Sequence, residues 1–223
     1  MQKTLIVANW KSHKTISEGL NFVTEFAQNF KENPNKEIVL CPSFTIIYPL
    51  KQAIEERNLQ IKLGAQDISF LSDGPYTGEV NSKQIKEVAD YVIIGHSERR
   101  KNLKEMDEVL FEKVRKAIEA SLTPIFCVQN ENTEIPSEDV VIAYEPPESI
   151  STSGPGVFVD DLENVKRITQ VFKSKKPKSL FLYGGSVNSS NVSSFTKNDE
   201  INGVLVGGKS LSAQDFLQIY ENA

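Results

Sequence analysis

The chain reads as an α/β protein, a closed (β/α)8 barrel with a parallel sheet. Three observations predict it. Eight short apolar runs recur along the 223 residues, nearly all followed by a helical pattern. Strands that alternate with helices pair in parallel, because a parallel neighbour is reached only through a crossover. The runs are mostly continuously apolar, as strands covered on both faces are, with Lys62 the one charge inside them. The length suits one barrel domain over residues 1–223. Closure would leave no sheet edge; a doubly wound open sheet is the alternative architecture.

Leu5 to Ala8 is the first run and ends in Asn9, Trp10 and Lys11. Thr15 and Glu18 have capping-box spacing, ahead of Ile16, Leu20, Val23, Ala27 and Phe30 at helical intervals. Ile38 to Cys41 leads to a helix with Ile47, Leu50 and Ile54, and Ile61 to Ala65 leads to a long loop and a short helix near Ile85 and Val88. Tyr91 to Ile94 precedes a helix with Leu110, Val114, Ala117 and Ile118. Ile125 to Val128 follows, then Val140 to Ala143, which opens toward a helix with Leu162, Val165, Ile168 and Phe172. Leu180 to Tyr183 precedes a short helix at about Asn191, and Val204 to Val206 precedes the last, with Ala213, Phe216, Leu217 and Tyr220. Between Val128 and Val140 the chain is polar, with Pro136 inside, so the helix after the fifth strand is expected to be missing or much reduced.

A net charge of −5 argues against a nucleic-acid surface, which needs clustered Lys and Arg. Cys41 and Cys127 sit among apolar residues and read as buried thiols in a reducing compartment, with no metal site between them. The N-terminus lacks a signal-peptide run and no stretch could span a bilayer, so the expected location is cytoplasmic, without membrane partners.

In such a barrel the working residues lie at the carboxyl ends of the strands. Found there are Asn9 and Lys11, then Gly95, His96, Ser97 and Glu98, then Glu145, and the glycine pairs Gly184–Gly185, before Ser186, and Gly207–Gly208. Each has a plainer reading. Glu145 and Lys11 read as solvated charges when taken alone, His96 as a cap, and the glycines as turn residues. His13 falls in a loop and is given no role; Cys127 reads as core rather than nucleophile. Gly203 to Ser210, GVLVGGKS, matches a nucleotide phosphate-loop pattern, but Val204 to Val206 read as strand where that motif needs a loop. Gly207 and Gly208 can still present backbone N–H groups to a phosphate.

The segments NWK (Asn9 to Lys11), YTGEV (Tyr76 to Val80), IIGHSERR (Ile93 to Arg100), AYEP (Ala143 to Pro146), YGGSV (Tyr183 to Val187) and GVLVGG (Gly203 to Gly208) together resemble the triosephosphate isomerase family, in its order and over nearly the whole chain. The resemblance implies the TIM-barrel fold and an isomerase of glycolysis and gluconeogenesis, which interconverts dihydroxyacetone phosphate and D-glyceraldehyde 3-phosphate through an enediolate. It implies Glu145 as general base, His96 as neutral electrophile and Lys11 as the stabilising cation; this family is the standard worked case of such a neutral imidazole. It implies Asn9, Lys11 and the N–H groups of Ser151, Ser186, Gly207 and Gly208 as substrate contacts, and Ser97 and Glu98 as supports behind them. No metal or organic cofactor is implied. The loop Gly74 to Gly78, centred on Thr77, resembles the family's intersubunit loop, so a homodimer is expected.

The chain departs from the family pattern in its active-site lid. Glu148 stands at a hinge usually apolar, Ser151, Thr152 and Ser153 form the tip, and Gly154, Pro155 and Gly156 the far hinge. Less complete closure would let the enediolate shed phosphate, with methylglyoxal as the product to compare. Val128, Gln129 and Asn130 stand where Gly-Glu is common, and Lys209 replaces a small residue beside the glycine pair. A different sugar-phosphate epimerase or lyase, and a barrel kept as a scaffold, are the competing readings.

Overall fold

The computed structural model describes residues 3–137, 139–146 and 161–223. Eight parallel strands close into a barrel in sequence order: β1 Thr4–Asn9, β2 Lys36–Cys41, β3 Ile61–Ala65, β4 Tyr91–Ile94, β5 Thr123–Val128, β6 Val141–Tyr144, β7 Phe181–Tyr183 and β8 Gly203–Val206. Closure is made by β8 against β1, with Leu5 opposite Gly203 and Ala8 opposite Val206. The open doubly wound alternative is thereby excluded.

Both faces of most strands are buried, which is why most of the runs carry no polar alternation; Lys62 in β3 is an exposed exception. Leu5, Val7, Val39, Cys41, Ile93, Ile125, Cys127, Val141, Ala143, Leu182 and Leu205 fill the barrel interior. Their neighbours, among them Ile6, Ala8, Ile38, Leu40 and Phe126, face the helices in a second, larger core.

The helices are α1 Ile16–Asn29, α2 Phe44–Glu56, α3 Ser82–Lys86, α4 Ser97–Leu103, α5 Asp107–Glu119, α6 Leu162–Lys175, α7 Val192–Thr196 and α8 Ala213–Asn222. The Thr15–Glu18 capping box is present. The buried face of α1 differs from the expected one: Gly19, Phe22, Val23 and Phe26 are buried, whereas Ile16 is 48% exposed. Aromatic packing sets the rotation. Phe22 meets Trp10 edge-on at 4.8 Å and stacks on Phe26 at 5.9 Å, and Phe26 reaches Phe216 of α8 at 5.9 Å. Burying a Phe contributes roughly 1.5–3 kcal/mol, more than one half-exposed Ile returns.

No helix forms in residues 129–137 or 139–140, between β5 and β6. Ile135, buried in the outer core, covers this sector instead, and the segment is held to α6 by Arg167 and Lys175, which bond to Glu131. The connection after β4 carries two helices, α4 and α5, where the periodicity showed one. Among the described residues, no helix is long and apolar enough to cross a membrane.

Candidate active site

Strand alternation builds the site. Leu5 and Val7, and Val141 and Ala143, point into the barrel, so the next residues of the same parity are Asn9 and Glu145. Leu182 leads in the same way to Gly184, and Leu205 to Gly207. A cavity of about 430 Å³ opens above this layer, lined by Asn9, Lys11, His96, Glu145, Gly184, Ser186, Gly207 and Gly208 among others. Of the described residues named from sequence, those at or after the ends of β1, β6, β7 and β8 and His96 after β4 meet at one mouth, whereas Gly95, Ser97 and Glu98 do not line it. Gly184 is required by close approach: a Cβ there would stand 3.0 Å from Glu145 Cγ and 3.1 Å from the Tyr144 carbonyl.

Glu145 is 2% exposed. Its Oε1 lies 2.9 Å from His96 Nε2, and its Oε2 accepts the Ser97 N–H at 3.0 Å. Burial alone would push its carboxyl up; the His96 contact, the Ser97 N–H and Lys11 outweigh it and hold the group below the ordinary carboxylate range. Glu145 is thus ionised at neutral pH. Beneath it, burial and then the Glu145 carboxylate push the Cys127 thiol well up, so it stays protonated within the barrel core.

His96 caps α4. Its Nδ1 accepts the Glu98 N–H at 3.2 Å, which leaves the ring proton on Nε2, facing Glu145. Two influences oppose each other here. Burial disfavours the imidazolium, but the Glu145 carboxylate, with a smaller share from Glu98, raises His96 above the ordinary histidine value. The raising contact is to a carboxylate side chain; the Glu98 N–H is fixed backbone.

Lys11 adopts φ 53°, the left-handed region that costs a non-glycine residue roughly 1–2 kcal/mol. The strain is held by three hydrogen bonds. The Lys11 N–H donates to Asn9 Oδ1 at 3.0 Å, and Gln66 Nε2 donates to the carbonyls of Lys11 at 2.8 Å and Cys41 at 2.9 Å. Lys11 Nζ then pairs with Glu98 Oε1 at 2.6 Å. Glu98 therefore orients both the ammonium and the imidazole. Gln66 was not singled out from sequence; the only signal for it is its place directly after the third strand, shared with Asp67.

The glycine pair behind β8 opens a 3-10 turn, Gly208–Leu211, whose Ser210 returns its N–H and hydroxyl to the Gly207 carbonyl at 2.8 and 2.7 Å. Gly203 to Val206 is strand, so the phosphate-loop pattern is not a phosphate loop. Thr77 lies exposed in the loop after β3, outside the cavity. Ser151, and with it Glu148 and the tip and far hinge of the lid, lies outside the described residues. Among the described residues no group of three or more His, Cys, Asp or Glu is placed to hold a metal ion.

A closed barrel that gathers a buried carboxylate, an imidazole and an ammonium at the carboxyl ends of its strands defines a (β/α)8-barrel enzyme. The family model described as triosephosphate isomerase matches residues 4–223. Proteins of that name from Dictyoglomus turgidum and Dictyoglomus thermophilum are similar to the chain, 37% identical over 98% of this chain and 99% of the relative, and 35% identical over 100% of both. The crystal structure of triosephosphate isomerase from Bartonella henselae superposes with a TM-score of 0.81 at 29% identity, over 99% of this chain and 98% of that one. The chain belongs to the triosephosphate isomerase family and is an isomerase.

Proposed function

We propose that the chain interconverts dihydroxyacetone phosphate and D-glyceraldehyde 3-phosphate by proton transfer between adjacent carbons. The observation that carries this reading is the buried Glu145 carboxyl set 2.9 Å from His96 in the cavity that Lys11 also lines. Glu145 removes the proton from the carbon beside the carbonyl, leaving an enediolate, and returns it to the neighbouring carbon. To reach the substrate it exchanges its His96 and Ser97 contacts for the carbon-bound proton. His96 then loses the carboxylate that raises it and keeps the Glu98 N–H at Nδ1. The ring is left neutral with its Nε2–H free to donate to the developing oxyanion, the role for which this family is the worked case. Lys11, fixed by Glu98, stabilises the same charge, and Asn9 adds a polar contact. The N–H groups of Ser186, Gly207 and Gly208 hold the phosphate. No step calls on a cofactor.

The purified protein mixed with glyceraldehyde 3-phosphate should form dihydroxyacetone phosphate, followed through a coupled dehydrogenase. No conversion would overturn the reading in favour of a barrel kept as a scaffold.

The proposed assembly is a cytoplasmic homodimer through the Gly74 to Gly78 loop. Tyr76, a large side chain left 43% exposed in that loop, supports it, since a partner surface would cover it. Sedimentation should give a dimer; a monomer independent of concentration would contradict it.

A further inference from the structure

The cavity that would take a dianion also holds a negative charge of the protein's own. Asp215, in the first turn of α8, lines the same wall as Gly207 and Gly208. A carboxylate there opposes phosphate binding unless something stands against it. Lys209 does. It sits in the 3-10 turn directly after the glycine pair, lines the cavity, and places Nζ 3.1 Å from Asp215 Oδ2. The backbone of Asp215 is fixed by the cap of α8, its N–H donating to Ser212 Oγ at 3.2 Å. Lys209 is 58% exposed in its side chain, so the pair is a weak, exchangeable one. The space over the turn is open, since a Cβ added at Gly208 would meet nothing within 4 Å.

We propose that Lys209 is a specificity residue for the phosphate group: Asp215 is its resting counter-ion, and the lysine turns its ammonium to the phosphate dianion when substrate binds. The inference rests on the function proposed above. It gives a use to the lysine of the GVLVGGKS pattern, as a point charge added to backbone N–H groups rather than as part of a nucleotide loop. The long flexible stem lets Nζ reach a new partner without moving the turn, and until then the pairing partly offsets the charge of Asp215.

The test is calorimetric titration of wild type, Lys209→Met and Asp215→Asn with inorganic phosphate, with KM and kcat for glyceraldehyde 3-phosphate measured alongside. Lys209→Met should weaken phosphate binding and raise KM by about 2–5-fold, the range of an exposed charge contact, with the effect carried by KM rather than kcat. Asp215→Asn should move both the other way, because it frees the lysine and removes the opposing charge. Both differences should shrink at high salt. Unchanged phosphate affinity in Lys209→Met, while wild type binds phosphate and turns over, would overturn the inference. So would an Asp215→Asn variant that weakens binding as Lys209→Met does, since the pair would then serve only structure. A wild type without isomerase activity would instead overturn the function on which the inference rests.

Discussion

His96 carries the information that decides the protonation chemistry. Its two ring nitrogens face partners of opposite effect, a backbone N–H at Nδ1 and a carboxylate at Nε2. Removing the negative charge of Glu145 makes the imidazolium less favourable, so the His96 titration must move down. Measured by NMR, His96 should titrate above about 6.5 in wild type and lower in Glu145→Gln. His13 supplies the only other histidine signal, which His13→Gln would assign. An unchanged His96 titration in Glu145→Gln would show that the carboxylate is not what sets it. Lys11, His96 and Glu145 were legible as candidates because they follow apolar strands, but alone they read as solvated charges and a cap, and only the resemblance of six motifs to the family gave them roles. The left-handed backbone at Lys11 and its clamp by Gln66 were not legible: they depend on two loops that meet only after the barrel closes.

At the scale of elements, the strands were legible because a parallel strand buried on both faces needs an unbroken apolar run, and their ends are where Asn9 and Glu145 interrupt it. The fifth connection was legible for the converse reason: its polar, proline-containing stretch offers no apolar face to a helix. The face of α1 was misjudged because helical spacing alone fits both Ile16–Leu20–Val23 and Phe22–Val23–Phe26, and only the rings of Trp10 and Phe216 choose between them. The β1–β8 seam gives a sharper test of how elements fit. Gly203 has φ +155°, and a Cβ there would fall 1.9 Å from the Leu5 carbonyl oxygen, which is backbone and cannot yield. Gly203→Ala should cost more than about 3 kcal/mol in denaturant unfolding, or fail to fold. A loss under about 1 kcal/mol would contradict the close register of the seam.

Over the whole molecule, the barrel works as a frame that turns sequence parity into position. Interior side chains fill it below the site, and the next layer of the same parity becomes the cavity. A buried ionic cluster braces the frame from outside. Lys113 and Arg99 both bond to Asp67 and Glu105 at 2.7 Å, which ties the loop after β3 to α4 and α5, next to Ser97 and Glu98. Such a cluster holds geometry rather than adding much net stability, since its charges give up solvation to meet. The frame places one ionised carboxylate against one imidazole, and that pairing is the central claim. Glu145→Gln keeps the side chain's size and an oxygen for the Ser97 N–H but loses the base. Its kcat for glyceraldehyde 3-phosphate should fall by about 10²–10⁴-fold against wild type, with the fold intact by circular dichroism. A kcat within about threefold of wild type would contradict the assignment of Glu145 as the base.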